Sequence, residues 1–356
     1  MSRDNFDIPE VFRRAMEEAG WRGEGDGGGT GDDNGGQGPQ QPQGRPARLN
    51  RSVWIIGLLF ILLLSFNWIV NVYTDWLWFT ELSYENVWIK QWAVRLAVFL
   101  IAFVVATAVL LTNWLYARRR AIRDTSPFLP QFLAPSGIGW LISGVALFLA
   151  FTFASGAASL WEELLLFLNR IPFEISDPIF DLDVGFYIFA LPVYEFLQGW
   201  LLSLVLLALL GIIPIYAINN LPDIQRGRWR PQESVAFRRH VALLGGLFLL
   251  FWAAGYLFDI YGLLYSPRGV VFGASYTDMN ASLWALLAQL LFMVVTALAV
   301  FYNFFRFTPR PVLIGAGLWL IATFIIGGIY PGLLQRYAVE PNEIVREGPF
   351  IDHNIE

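Results

Sequence analysis

The sequence predicts an all-α protein: a polytopic transmembrane helix bundle of about seven spans, with its N-terminus in the cytoplasm and its C-terminus outside. Three observations predict it. Of 356 residues, 56% are hydrophobic and only 15% are charged, against about 25% charged in an ordinary soluble domain. The charges are clustered, which leaves several long apolar runs. At about 1.5 Å per residue, about 20 apolar residues cross about 30 Å of hydrocarbon. The third observation is that arginines crowd alternate connections between these runs, as they do on cytoplasmic loops.

Residues 1–50 are polar. Pro9 to Ala19 fits a short amphipathic helix, followed by the glycine-rich GEGDGGGTGDDNGGQGPQQPQGRP. That stretch has too little apolar surface to offset chain entropy and is predicted to be disordered. It is not a signal peptide, since the first apolar run begins only after Arg51.

Residues 51–330 form the predicted membrane domain. The spans are Val53–Tyr73, Trp92–Tyr116, Ile138–Ser159, Phe196–Ile218, Val241–Phe258, Ser282–Phe305 and Val312–Tyr330. Backbone in lipid must satisfy its own hydrogen bonds, so these runs are helices. The short alternating strands of a β-barrel are missing. Residues 160–168 either extend the third helix or lie along the outer surface. Residues 184–195, with Pro192, read as an interfacial or partly re-entrant segment or as part of a long kinked helix. The tail, residues 331–356, is polar and too short to fold alone, so by itself it is expected to be largely disordered.

Orientation follows from the arginines. Arg45, Arg48 and Arg51 precede the first span, and Arg118, Arg119, Arg120 and Arg123 follow the second. Arg226, Arg228, Arg230, Arg238 and Arg239 separate the fourth from the fifth, and Arg306 and Arg310 the sixth from the seventh. The opposite connections hold far fewer, and most of the acidic residues.

Ionisable groups at mid-membrane are costly and would mark a site. Arg95 and Glu195 lie near the outer ends of the second and fourth spans, with Asp259 just after the fifth. They read as an outer polar vestibule or as side chains snorkelling to the interface. Asn67 and Asn71 share one helix face and serve either substrate contact or helix–helix bonding; Asn113 and Asn303 read the same way. Small residues such as Ala102 and Ala106, Gly245 and Gly246, or Gly315 and Gly317 suit close helix packing. Asp177, Asp181 and Asp183 offer carboxylates to a divalent cation, but no EF-hand pattern follows them. The loop from Tyr261 to Asn280 reads as a tight, folded loop.

The absences narrow the chemistry. With no cysteine, there is no disulfide and no thiolate metal site. His240 and His353 are too few for a zinc centre. P-loop, HExxH and GxSxG motifs are missing. No catalytic residue, metal or cofactor is assigned, and an enzyme is not expected.

DPIFDLDVGFYIFALP, LLYSPRGVVFGASYTDMNA, YPGLLQRYAVEPNEIVREGPFIDHNIE and YTDWLWFTELSYENVW resemble uncharacterised protein family 0182, a group of bacterial integral membrane proteins. The resemblance covers roughly residues 53–356. It implies seven membrane helices in the plasma membrane, followed by a large extracytoplasmic domain, and carries no activity or site with it. Residues 331–356 would begin that domain, so a fragment or truncated reading frame is expected. The leading functional expectation is a non-enzymatic membrane anchor or envelope-associated protein. Its partners would be the lipid bilayer and other envelope proteins or a second copy, with no nucleic acid. One alternative is a transporter or channel component using Asn67, Asn71, Arg95 and Glu195. Another is a membrane enzyme acting on lipid or cell-wall precursors through Asp177, Asp181 and Asp183.

Overall fold

A computed structural model describes residues 51–124, 133–228, 230 and 234–355. The expectations for residues 1–50 lie outside the described residues. The chain divides into two compact units, Met1–Val72 and Tyr73–Glu356.

Every long element among the described residues is a helix. The first proposed span falls in α1 (Arg51–Glu81). The second falls in α2 (Glu85–Asp124) and the third in α3 (Ser136–Ala157). A 3₁₀ turn then leads into α4 (Trp161–Leu168), so residues 160–168 extend the third helix. A π segment, Phe186–Ala190, runs directly into α5 (Leu191–Asn219). Residues 184–195 are therefore largely the start of one long helix. Pro192 stands where the π segment gives way to α5, and the change of turn there accommodates a residue that lacks an N–H.

After α6 (Leu221–Gln225) comes α7 (Val235–Gly262), whose first turn is capped by Ser234 accepting from the Phe237 amide. A second π segment, Asp278–Ser282, opens α8 (Leu283–Tyr302). The seventh span is α9 (Pro309–Ile321), a π segment Ala322–Ile329 and α10 (Tyr330–Leu334). The tail continues through further helical turns into α11 (Glu343–Ile355). This corrects the expectation of disorder, because the tail has the preceding loop to pack on. Among the described residues, six helices, all from Glu85 onward, are long and apolar enough to cross a membrane.

Within Tyr73–Glu356, successive long helices alternate in direction. Arg118, near the end of α2, donates to the carbonyls of Leu133, Ala134 and Pro135 just before α3. Arg239, near the start of α7, donates to the Phe304 carbonyl just after α8. At the other end, Phe180 and Phe186 meet Tyr261 edge-on. The arginine-bearing connections thus gather at one end of this unit.

The helix faces are sorted by size. On α3 the buried residues are Ala146, Ala150, Ala154 and Ala157, while Trp140 is 80% and Phe148 69% exposed. A soluble helix buries its large apolar side chains. In lipid, close helix approach needs small residues inside, and large apolar ones lose nothing by facing hydrocarbon. Ala102 and Ala106 are buried on α2 for the same reason. Glycines serve the closest approaches. A Cβ on Gly246 would stand 2.6 Å from the Phe301 ring, and one on Gly211 would collide with the Trp114 indole. Trp114 is held in that slot by donating from Nε1 to the Ala208 carbonyl.

Candidate functional site

Three polar clusters stand out in Tyr73–Glu356. The first is the loop before α5. Asp177 is buried and accepts from the amides of Ile179 (2.9 Å), Phe180 (2.6 Å) and Leu182 (3.0 Å), and from the Tyr187 hydroxyl (2.7 Å). Burial by itself raises this carboxyl, but the Phe180 amide, the Tyr187 hydroxyl and the other two amides favour the charge. Together they hold it below the ordinary carboxylate value. Asp183 accepts from the amides of Phe173, Glu174 and Gly185. Asp181 is exposed, with a left-handed φ of 56° that aspartate tolerates in turns. The Asp177 and Asp183 carboxylates are occupied in shaping the loop. No group of three metal-ligating side chains occurs among the described residues.

The second cluster lies at the arginine-bearing end. His240 is buried on α7, with Nε2 2.9 Å from Asn113 Oδ1 of α2 and Nδ1 3.4 Å from the Tyr216 hydroxyl of α5. Three helices are joined by one imidazole. Asn113 thus bonds helix to helix, whereas Asn303 accepts from the Thr308 amide and shapes the turn before α9.

The third cluster is a cavity of about 440 Å³ at the opposite end, between the end of α7, the start of α8 and the π segment of the seventh span. Asp278 is buried and fully engaged. Its Oδ2 accepts from the Ser275 amide and hydroxyl, and its Oδ1 from Ser282 and from Arg268 Nη1 at 3.2 Å. Arg268 uses only Nη1 in these contacts, which also reach the Ser282 hydroxyl at 2.8 Å. Asp259 and Gln289 line the same cavity. Neither side chain makes a hydrogen bond or ion pair among the described residues, and Gln289 is only 7% exposed. Gly327 faces Gln289: a Cβ there would stand 2.6 Å from Nε2.

Of the other predicted positions, Arg95 and Glu195 do not line this cavity. Arg95 stacks its guanidinium over Trp92 at 5.5 Å. Glu195 lines a separate cleft with walls of Phe153, Phe196 and Trp200, close enough to Asp259 for the two charges to interact. Asn67 and Asn71 are exposed on α1. Sequence reasoning missed Gln289, a single amide within an apolar run, and Glu347. The Glu347 side chain is buried in the tail helix. Its Oε2 accepts from the Tyr276 amide at 3.0 Å, and its Oε1 has no partner.

No solved structure matches this chain. Similar sequences include UPF0182 proteins of Trichlorobacter lovleyi (32% identical over 86% of this chain) and Streptomyces coelicolor (30% over 91%). Another, from Rhodococcus erythropolis, is 32% identical over 88%. The chain covers 35%, 34% and 34% of these relatives, about a third of their length. The match to the uncharacterised protein family UPF0182 extends over residues 52–356. The resemblance first read in four short stretches therefore holds across the apolar core, and the chain belongs to family UPF0182.

Proposed function

We propose that this chain is the membrane-embedded part of a larger envelope protein of the bacterial plasma membrane. In this reading it is a non-enzymatic anchor that holds an extracytoplasmic region at a fixed attitude. One observation carries the reading: the chain leaves the seventh span as a docked helix. Glu347 accepts from the Tyr276 amide, while Arg346 donates to the Tyr276 hydroxyl at 2.8 Å and lies over its ring. The exit helix is thereby fastened to the loop between α7 and α8. A docked exit transmits orientation, whereas a free tail would only tether. The relatives are about three times as long, and that further length is what such an exit would orient. Arginine sorting supports an outward-facing exit.

Because the chain has no cysteine, single thiols report accessibility cleanly. Gly227→Cys, Val270→Cys and Ile344→Cys are each treated on intact cells with a membrane-impermeant maleimide. Positions 270 and 344 should label at once, and 227 only after permeabilisation. Labelling of 227 on intact cells, or protection of 344, would overturn the reading; so would solute flux by the protein reconstituted in vesicles.

A further inference from the structure

We propose that the cavity between α7, α8 and the seventh span binds a small zwitterion, its ammonium against Asp259 and its anionic group against Arg268. The cavity does not depend on the anchor reading. Its volume of about 440 Å³ falls in the range of small-ligand sites, about 300–1,000 Å³.

One buried, unpaired amide in its wall points to a ligand. A buried amide is ordinarily paired, because leaving it unpaired forfeits its hydration without return. Gln289 is more than nine-tenths buried, without a protein partner, and lines this space. Asp259 adds an exposed carboxylate that has no ion pair or hydrogen bond among the described residues. Arg268 adds Nε and Nη2, which its contacts with Asp278 and Ser282 leave unused.

The walls also depart from ordinary helix. The π segments Asp278–Ser282 and Ala322–Ile329 both contribute to the cavity, through Asp278 and Ser282 on one and Gly327 on the other. Such i→i+5 turns are found frequently at functional sites. Gly327 makes room for the Gln289 amide.

Charge selects the ligand class. A plain anion would meet Asp259 as a like charge, and a plain cation would make no use of the Arg268 donors that its bond to Asp278 leaves to solvent. A molecule with one charge of each sign answers both, and Gln289 can donate or accept toward either. A phosphoethanolamine group has this chemistry, whether free in solution or as a lipid headgroup.

Two arms separate these sources. The purified chain in detergent is titrated with O-phosphoethanolamine by calorimetry. In parallel, it is placed in phosphatidylglycerol nanodiscs with and without phosphatidylethanolamine, and retained lipid is counted by native mass spectrometry. Asp259→Asn and Gln289→Leu break no protein hydrogen bond, so both should keep the native elution profile and melting temperature. Each should weaken binding at least tenfold in whichever arm binds. Binding in the soluble arm assigns a free solute, and retention in the lipid arm alone assigns a headgroup. No binding in either arm, or binding that both variants leave unchanged, overturns the proposal.

Discussion

At the residue scale, Asp177 shows how a carboxylate that looks like a ligand can be a structural element. Alternating aspartates are read from sequence as metal donors because side-chain spacing is visible there and backbone donors are not. In the folded loop the backbone reaches Asp177 first, through three amides, and Tyr187 completes the set. Hydrogen bonds to a charged group contribute about 1.5–3 kcal/mol each in favourable cases, and here they also offset the cost of burial. Asp177→Ala should therefore destabilise the loop by roughly 1–3 kcal/mol, read as faster proteolysis within residues 169–185. The pH dependence follows from the lowered carboxyl value. Its contribution is complete above the unfolded value of about 3.9 and is lost as pH falls through the lower folded value. Native protein should thus exceed Asp177→Asn in loop stability at pH 7, with the gap closing only below about pH 4. An equal gap at pH 7 and pH 3 would show that the carboxylate charge is not what holds the loop.

At the element scale, the helices were legible because hydrocarbon imposes a length and a composition that any reader of the chain can count. All seven proposed spans fall on helices. Their continuations were legible only in part: helix was one of two readings for residues 160–168 and 184–195, while Asp278–Ser282 gave no sign. The π segments before α5 and α8 extend helices beyond the apolar runs, and nothing in residue type announces a widened turn. The docked tail was missed for a related reason: its partner, Tyr276, lies some 70 residues earlier. The cavity was half visible, since Asp259 and the loop around Arg268 drew notice, but Gln289 sits among leucines and gains its meaning only from what it lacks. Small residues were read correctly as packing devices, though unequally so. A Cβ on Gly211 would collide with Trp114, whereas one on Gly317 would meet nothing within 4 Å. Overpacking a close contact costs about 1–3 kcal/mol. Gly211→Leu should lower the melting temperature in detergent and disturb tryptophan fluorescence, while Gly317→Leu should leave both near native. Equal effects at the two positions would mean that helix propensity, not contact with Trp114, sets the cost.

At the scale of the whole molecule, the question is whether the exit from the membrane domain is rigid. The helices expose large apolar side chains outward and pack through alanine and glycine, an arrangement that hydrocarbon tolerates and water does not. The tail differs, since it carries charge and is held to one loop by polar contacts and by Phe350 edge-on to Tyr276. A helix held this way opens with the free energy of those few bonds rather than with that of the whole bundle. Losing the charged bond from Glu347 should weaken it by about 1.5–3 kcal/mol, which is a tenfold or larger rise in the open population. Trypsin, which cuts after Arg346, reads that population once each variant's rate is divided by that of its own unfolded chain, because residue 347 flanks the cleaved bond. In purified protein, Glu347→Ala should be cut there about tenfold faster or more. Glu347→Gln, which keeps an acceptor for the Tyr276 amide, should stay closer to native. Tyr276→Ala leaves Arg346 intact as the cleavage site but removes its hydroxyl and ring partner, so it should speed cutting as well. If Glu347→Ala is cut no faster than native protein, the tail is secured by something other than this clamp, and the rigid exit on which the anchor reading stands is lost.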